Sequence, residues 1–230
     1  MKRTNQLIFL PCLLLTGLSP LVADTAGERL QESAVVLKEI LSAPDQGIPR
    51  DLLDDAHCVV VIPGMKNAAF LVGGKYGRGF LVCRQDARAG WGAPASVRIE
   101  GGSFGFQIGA SETDVVMLVM NQRGMDKLLQ SKFTLGGAAE VAAGPVGRSS
   151  TAQTDAKMTA KILSYSRSRG VFAGVSLQGA TLRQDLDENQ ELYGHPLTNK
   201  QIVMKRMKVP ASASELLAVL NVHFPHETGH

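Results

Sequence analysis

Cys58 to Cys83 reads CVVVIPGMKNAAFLVGGKYGRGFLVC, three short apolar and β-branched runs broken by glycine. Val59–Ile62, Phe70–Val72 and Phe80–Cys83 are each too short for an ordinary helix and carry the residue types that favour strands. Gly73–Gly79, GGKYGRG, reads as a turn-forming linker between the second and third runs. The same texture continues through SVRIEGG, SFGFQIG and TDVVMLVM, ending at Met120. The connections are too short for parallel crossovers, so the strands pair as antiparallel neighbours. The chain holds 24 glycines, many of them inside or at the ends of these runs. Glycine there marks bulges, bends and close backbone approach, which implies a strongly coiled sheet.

Helical periodicity appears on either side of this block. Residues 28–41, ERLQESAVVLKEIL, set Leu30, Ala34, Leu37 and Leu41 on one face, an amphipathic helix. Ile48-Pro49 opens a short helical turn through Ala56, and Gly124–Ser131 is a brief helix. Strand texture returns in KFTLGG, AKMTAKILSYSR and GVFAGVSLQGATL, and after Asp185 the pattern is helical again. Thr198 with Gln201 and Ser212 with Glu215 have the spacing of capping boxes. The fold class expected is α+β: a curled, largely antiparallel, glycine-rich and barrel-like sheet flanked by N-terminal and C-terminal helices.

The first 23 residues read as a signal peptide. Lys2 and Arg3 precede a broken apolar stretch from Leu7 to Val22, and Ala23 is the small residue before cleavage. Lipidation at Cys12 is the alternative, against which Pro11 stands where a small residue is expected. Residues 24–224 are expected to form one domain and 225–230 a disordered tail, with the product exported to the periplasm or secreted. Removing Lys2 and Arg3 from 24 bases leaves 22 against 21 acids, a net +1. With no global field, nucleic acid is excluded as a partner and any charge-driven attraction must be local. Of three cysteines, Cys58 and Cys83 remain, both in apolar runs. The residues leave a disulfide and two buried thiols both open.

Three stretches match catalytic patterns literally. His226–His230, HETGH, has the zinc spacing but occupies the last five residues, where no third ligand follows and the chain end frays. Gly101–Gly105, GGSFG, fits a nucleophile elbow at Ser103, but strand texture follows it where the motif needs a helix. A glycine-bent strand is the better reading, so Gly102→Val or Gly105→Val is expected to do more harm than Ser103→Ala, because a branched side chain opposes a bulge or a positive φ. The glycines of GGKYGRG have neither phosphate-loop spacing. His57 and His195 lack carboxylate or cysteine neighbours in sequence. No catalytic residue, metal ligand or cofactor is assigned.

The ordered blocks VVVIPGMKNAAFLVGGKYGRGFLVCR, GWGAPASVRIEGGSFGFQIGASETDVVMLVMN, SKFTLGGAAEVAAGPVGRSS and ILSYSRSRGVFAGVSLQGA resemble those of the SYLF domain family, from about Ala34 to Phe224. The resemblance implies a non-enzymatic module: eukaryotic members bind phosphoinositide membranes, yeast members bind actin, and bacterial members are exported. It points to a phospholipid membrane as partner, with another envelope protein as the alternative and a hydrolase at Ser103 third. The family's lipid contact combines an amphipathic segment with basic surface residues. Leu30, Ala34, Leu37 and Leu41 are the helix candidates, although residues 28–41 sum to −1. The basic candidates are Lys75 and Arg78, and Arg148, Lys157, Lys161, Arg167 and Arg169, a stretch with net +4 in which Asp155 is the single acid.

Overall fold

A computed structural model describes residues 24–42, 48–70, 72–86, 90–104, 109–136, 141–146, 160–168, 171–174, 177 and 179–224. Helix α1 spans Ala26–Leu41, opened by a capping box in which the Thr25 hydroxyl accepts from Glu28 N and Glu28 accepts from Thr25 N. A short α2, Arg50–Asp54, follows Pro49, which serves as its N-cap. The sheet then begins with β1, Cys58–Phe70, and β2, Val72–Asp86. Strands β3 (Gly90–Trp91), β4 (Ala95–Phe104) and β5 (Gly109–Val119) precede α3, Gln122–Leu128. Five short strands follow: β6 Lys132–Thr134, β7 Val141–Ala143, β8 Ile162–Ser168, β9 Val171–Gly174 and β10 Thr181–Gln184. The chain closes with α4 (Leu186–Tyr193), α5 (Asn199–Met204), a 3₁₀ turn at Ala211–Ala213 and α6 (Ser214–His223).

The ten strands of the described residues belong to one curled sheet, ordered β6-β10-β4-β2-β1-β5-β8-β7, with β3 on β2 and β9 on β8. Its pairings are antiparallel except β7 with β8. The α+β expectation holds. The linker expectation does not: Gly73–Gly79 lies in the first half of β2, whose pairing with β1 runs on to Phe70 opposite Val72. The glycines serve close approach instead of turning. A Cβ at Gly79 would overlap the Val61 carbonyl oxygen, and one at Gly77 would stand 2.7 Å from Ile62 Cγ2. The register slips on β1 at Pro63-Gly64, where Gly64 takes φ +54° and its N–H donates to Asp114 Oδ1 at 3.0 Å.

Both faces of the sheet are buried, which explains apolar runs without alternation. Val59, Val61, Phe80, Val82, Val116 and Leu118 face a core shared with α1, α2 and α6. Cys58, Val60, Ile62, Leu81, Val97, Ile99 and Met117 face a second core closed by Leu128, Phe133 and Leu182. Cys58 and Cys83 stand directly opposite in the β1–β2 register and are joined by a disulfide, which resolves the alternative left open above. Thr198–Gln201 is a capping box, but Ser212–Glu215 is not: Pro210 starts a 3₁₀ turn, so Ser212 already lies inside a helical segment and Ala213 takes the N-cap position of α6.

Candidate functional site

Helix α1 crosses the sheet with Leu30, Ala34 and Leu37 buried and Leu41 packed beside them. This corrects the membrane-helix candidate, since its apolar face is the face that builds the core. Charged contacts fasten α1 and α4. Arg29 pairs with the buried Glu188 of α4 and donates from Nη2 to the Asp24 carbonyl at 3.0 Å. Arg78 of β2 approaches Asp185 Oδ2 at 2.9 Å and Glu188 Oε2 at 4.0 Å. Arg167 of β8 meets Asp114 Oδ2 at 2.7 Å and also pairs with Glu39 of α1. Burial pushes the Arg78 and Arg167 guanidinium values down, but their carboxylate neighbours outweigh it and hold both above the ordinary value. Both arginines, predicted as lipid contacts, are therefore engaged in holding helices to the sheet.

The other basic candidates divide. Arg148, Lys157 and Arg169 lie outside the described residues. Lys161 is half-buried beside Lys127, whose amine is pushed down by burial first and then by the Lys161 charge. Lys75 is half-buried in the β1–β2 hairpin opposite Asn67, and the neighbouring Lys66 is exposed opposite Tyr76 on one side and Glu112 on the other. Opposed residues share a face and successive ones alternate, so Lys66 and Lys75 stand on the hairpin's two faces.

Two adjoining clefts of about 380 and 500 Å³ run between α1 and the β1 bulge. Asp24, Glu32, Glu112, Lys66 and the exposed Tyr76 line the first, and Glu32, Glu112 and Asp114 reach the second. The Glu32 carboxyl is pushed above its ordinary value by burial and then by Asp24, Asp114 and Glu112. Ser103 lies in β4 paired with Gly73, and the next described element is β5, so the strand-to-helix presentation of a nucleophile elbow is not formed. Gly102 has no positive φ, its pairing with Gly74 is in unbroken register and a Cβ there would meet nothing within 4 Å, which corrects the expectation of a bulge or positive φ at this position; Gly105 lies outside the described residues. Among the described residues no three His, Cys, Asp or Glu side chains gather to hold a metal ion; 225–230, with the HETGH stretch, lies outside them. His195 contacts its own turn, Nδ1 lying 2.9 Å from the Tyr193 carbonyl oxygen.

The structure also displays cations that the sequence reading passed over. Lys200, Lys205, Arg206 and Lys208 are all exposed on α5 and the turn after it, together with Met204. The signal was available: from Leu192 to Ser214 the chain carries these four bases and no acid. No membrane-spanning helix, long and apolar enough to cross a bilayer, occurs among the described residues.

Comparison with known proteins agrees with the block pattern. The family described as Ysc84, Las17-binding protein actin regulator, matches residues 100–223. An SH3 domain-containing protein of Schizosaccharomyces pombe is 37% identical over 177 residues, 76% of this chain and 41% of that protein. Protein YSC84 of Saccharomyces cerevisiae is 34% identical over 189 residues, 81% of this chain and 40% of its own. The human SH3 domain-containing YSC84-like protein 1 is 31% identical over 198 residues, 83% and 57% respectively. LAS seventeen-binding protein 3 of Saccharomyces cerevisiae is 35% identical over 179 residues. The chain thus spans about two fifths of its yeast relatives and under three fifths of the human one, and none of these names is that of an enzyme. With the family matched over more than half of the chain, this protein belongs to the Ysc84 family, the SYLF-domain family that its sequence blocks resemble.

Proposed function

We propose that this protein is a non-enzymatic binding module, exported to the cell envelope, that docks on phospholipid membranes. The observation that carries the reading is the chemistry of one end of the sheet. There Phe70 pairs with Val72, Val72 with Phe104 and Ala69 with Gly109. In sequence, Asn67–Gly74 and Gly101–Ser111 contain Phe70, Leu71, Val72, Phe104, Phe106 and Ile108 and no ionisable residue; Lys66 and Lys75 border the first stretch, and Glu100 and Glu112 the second. Uncharged, apolar stretches with lysines beside the first suit a bilayer surface, with lysines near headgroups and apolar residues toward the acyl boundary. The Cys58–Cys83 disulfide supports export, because such bonds persist in oxidising compartments.

Co-sedimentation with vesicles of phosphatidylcholine alone and with phosphatidylglycerol added tests the reading. Binding is expected to rise with anionic lipid and fall with salt; no binding to either composition rejects it. N-terminal sequencing of protein from an envelope fraction is expected to begin near Asp24, and an intact Met1 in cytosolic protein rejects export. A second reading, a protein-binding module, is favoured by the relatives whose names specify protein partners. Capture of one defined envelope protein by a chain that ignores vesicles would establish it.

A further inference from the structure

Cleavage after Ala23 would make Asp24 the first residue of the exported chain, and the backbone just beyond that point is fastened by side chains. The Asp24 carbonyl accepts from Arg29 Nη2 at 3.0 Å, the Thr25 N–H donates to Glu28 Oε2 at 2.8 Å, and the Ala26 N–H donates to Glu191 Oε1 of α4 at 2.9 Å. Arg29 is buried and paired with Glu188, so this seat is built on the interior. Chain ends fray unless they are tied down. This one is tied from its first residue. The charges around it are unbalanced. Glu28 and Glu191 hold the next two backbone nitrogens, and Asp24, Glu32 and Glu112 of β5 line one cleft. Of the cations on that cleft, Arg29 and Arg78 are engaged with Glu188 and Asp185, which leaves Lys66 of β1; Tyr76 of β2 adds a phenol. The Glu32 carboxyl registers the excess, raised by burial and then by Asp24, Asp114 and Glu112.

We infer that the α-ammonium created at Asp24 when residues 1–23 are removed is a structural counter-charge of the mature protein, offsetting the acidic groups gathered at the start of α1. The inference rests on the export part of the reading above and goes beyond it. Hydrolysis of the Ala23–Asp24 peptide bond by a leader-removing peptidase consumes one water and leaves a carboxylate on Ala23 and an α-ammonium on Asp24. Before cleavage the same nitrogen is an uncharged amide, so the precursor lacks this cation. The N-terminal end of α1 opposes a cation placed two residues before Ala26, but that end amounts to roughly half a charge. Each carboxylate is a whole one. Their attraction holds the proton on the folded chain's amine more tightly than on the unfolded chain's. The stabilisation is therefore complete below the unfolded value, about 7.7–8.0 for a free chain end, and is lost as pH rises through the higher folded value.

The test uses protein isolated from an envelope fraction, its first residue sequenced, before and after acetylation confined to the α-amine and verified by peptide mass. Acetylation removes the terminal charge. The acetylated chain is expected to melt about 2 °C lower at about pH 7 and low salt. The difference should shrink as salt is added and vanish by about pH 9.5, where the untreated amine is neutral too. Competitive labelling with an amine reagent is expected to place the α-amine pKa about half a unit higher in the folded chain than in concentrated urea. Equal melting of both forms at every pH, with an amine that titrates alike folded and unfolded, rejects the counter-charge and leaves export standing. A difference that persists undiminished at high pH assigns the effect to the bulk of the acetyl group and overturns the proposal as well. A first residue other than Asp24 rejects the ammonium at that position, and an intact Met1 rejects export with it.

Discussion

Glu188 is 2% exposed and its ordinary charge is tolerable only because Arg29 and Arg78 converge on it. Burial pushes its carboxyl above the ordinary range, opposed by Arg29. Removing one member of a buried pair leaves the other desolvated and unmatched, which costs more than the pair contributes. Arg29→Met is therefore expected to destabilise the protein by about 3 kcal/mol, with Arg29→Met plus Glu188→Leu recovering most of it in denaturant unfolding. Equal losses for the single and double variants would mean that the charge pairing is not the source. Glu32 gives the opposite case, a carboxylate raised by burial and by Asp24, Asp114 and Glu112 with Arg29 as its opposing neighbour. Its proton is held more tightly folded than unfolded, so its contribution to stability rises as pH falls through the folded value toward 4.5 and is lost as pH rises through that value. Glu32→Gln is expected to flatten this part of the stability–pH curve and to stabilise at pH 7 by no more than about 0.5 kcal/mol after solvent screening. A loss of stability at pH 7 would show that Glu32 makes a favourable contact.

Helix α1 and the first hairpin show what sequence could and could not announce about an element. The 3.6-residue period of Leu30, Ala34, Leu37 and Leu41 made α1 legible, but a period identifies an apolar face without naming what covers it. Leu30 and Leu37 are 0% exposed, so Leu30→Ser with Leu37→Ser is expected to cost at least about 4 kcal/mol. A folded double variant with normal melting and lost vesicle binding would reverse that conclusion. Turn position in the hairpin was not legible, because GGKYGRG has the composition of a turn and works as a strand that must pass close to Val61 and Ile62. The missed charge partners follow from distance: Arg78 and Asp185 are over a hundred residues apart, and Arg167 and Glu39 likewise. The disulfide was undecidable for a similar reason, since it depends on the register that sets Cys58 opposite Cys83. It closes a separation of 25 residues, for which chain entropy predicts about 3 kcal/mol. Cys58→Ala with Cys83→Ala is expected to lower stability by that order, and reducing agent should destabilise wild type but not the variant. Identical unfolding of wild type with and without reductant would argue against the bond.

At the scale of the molecule, the two cores are separated by a single layer whose strands serve both. Val59 and Val61 point into the core with α1 and α6, while Val60 and Ile62, one residue along, point into the core with α3, β6 and β10. Loosening one face therefore removes support from the backbone that positions the other. The sequence hinted at this sharing, because VVVI and VVMLVM are apolar without alternation, but it could not say which helices cover which face. The last helix shows the consequence. Leu216, Leu220 and Phe224 are buried in the first core, and Phe224 packs edge-on to Trp91 with ring centres 5.5 Å apart. Deleting α6 would uncover these contacts, together with α1, which packs against it. Wild type is expected to unfold in one calorimetric transition whose van't Hoff and measured enthalpies agree. The milder change Phe224→Ala should lower the midpoint, by about 3 kcal/mol in stability, while the transition stays single and probes on either core move together. The fluorescence of Trp91 reports the first core, and hydrogen exchange at Met117 and Ile99 reports strands lining the second. Two separate transitions in Phe224→Ala, with Trp91 exposed while Met117 and Ile99 stay protected, would mean that the shared sheet does not couple the cores.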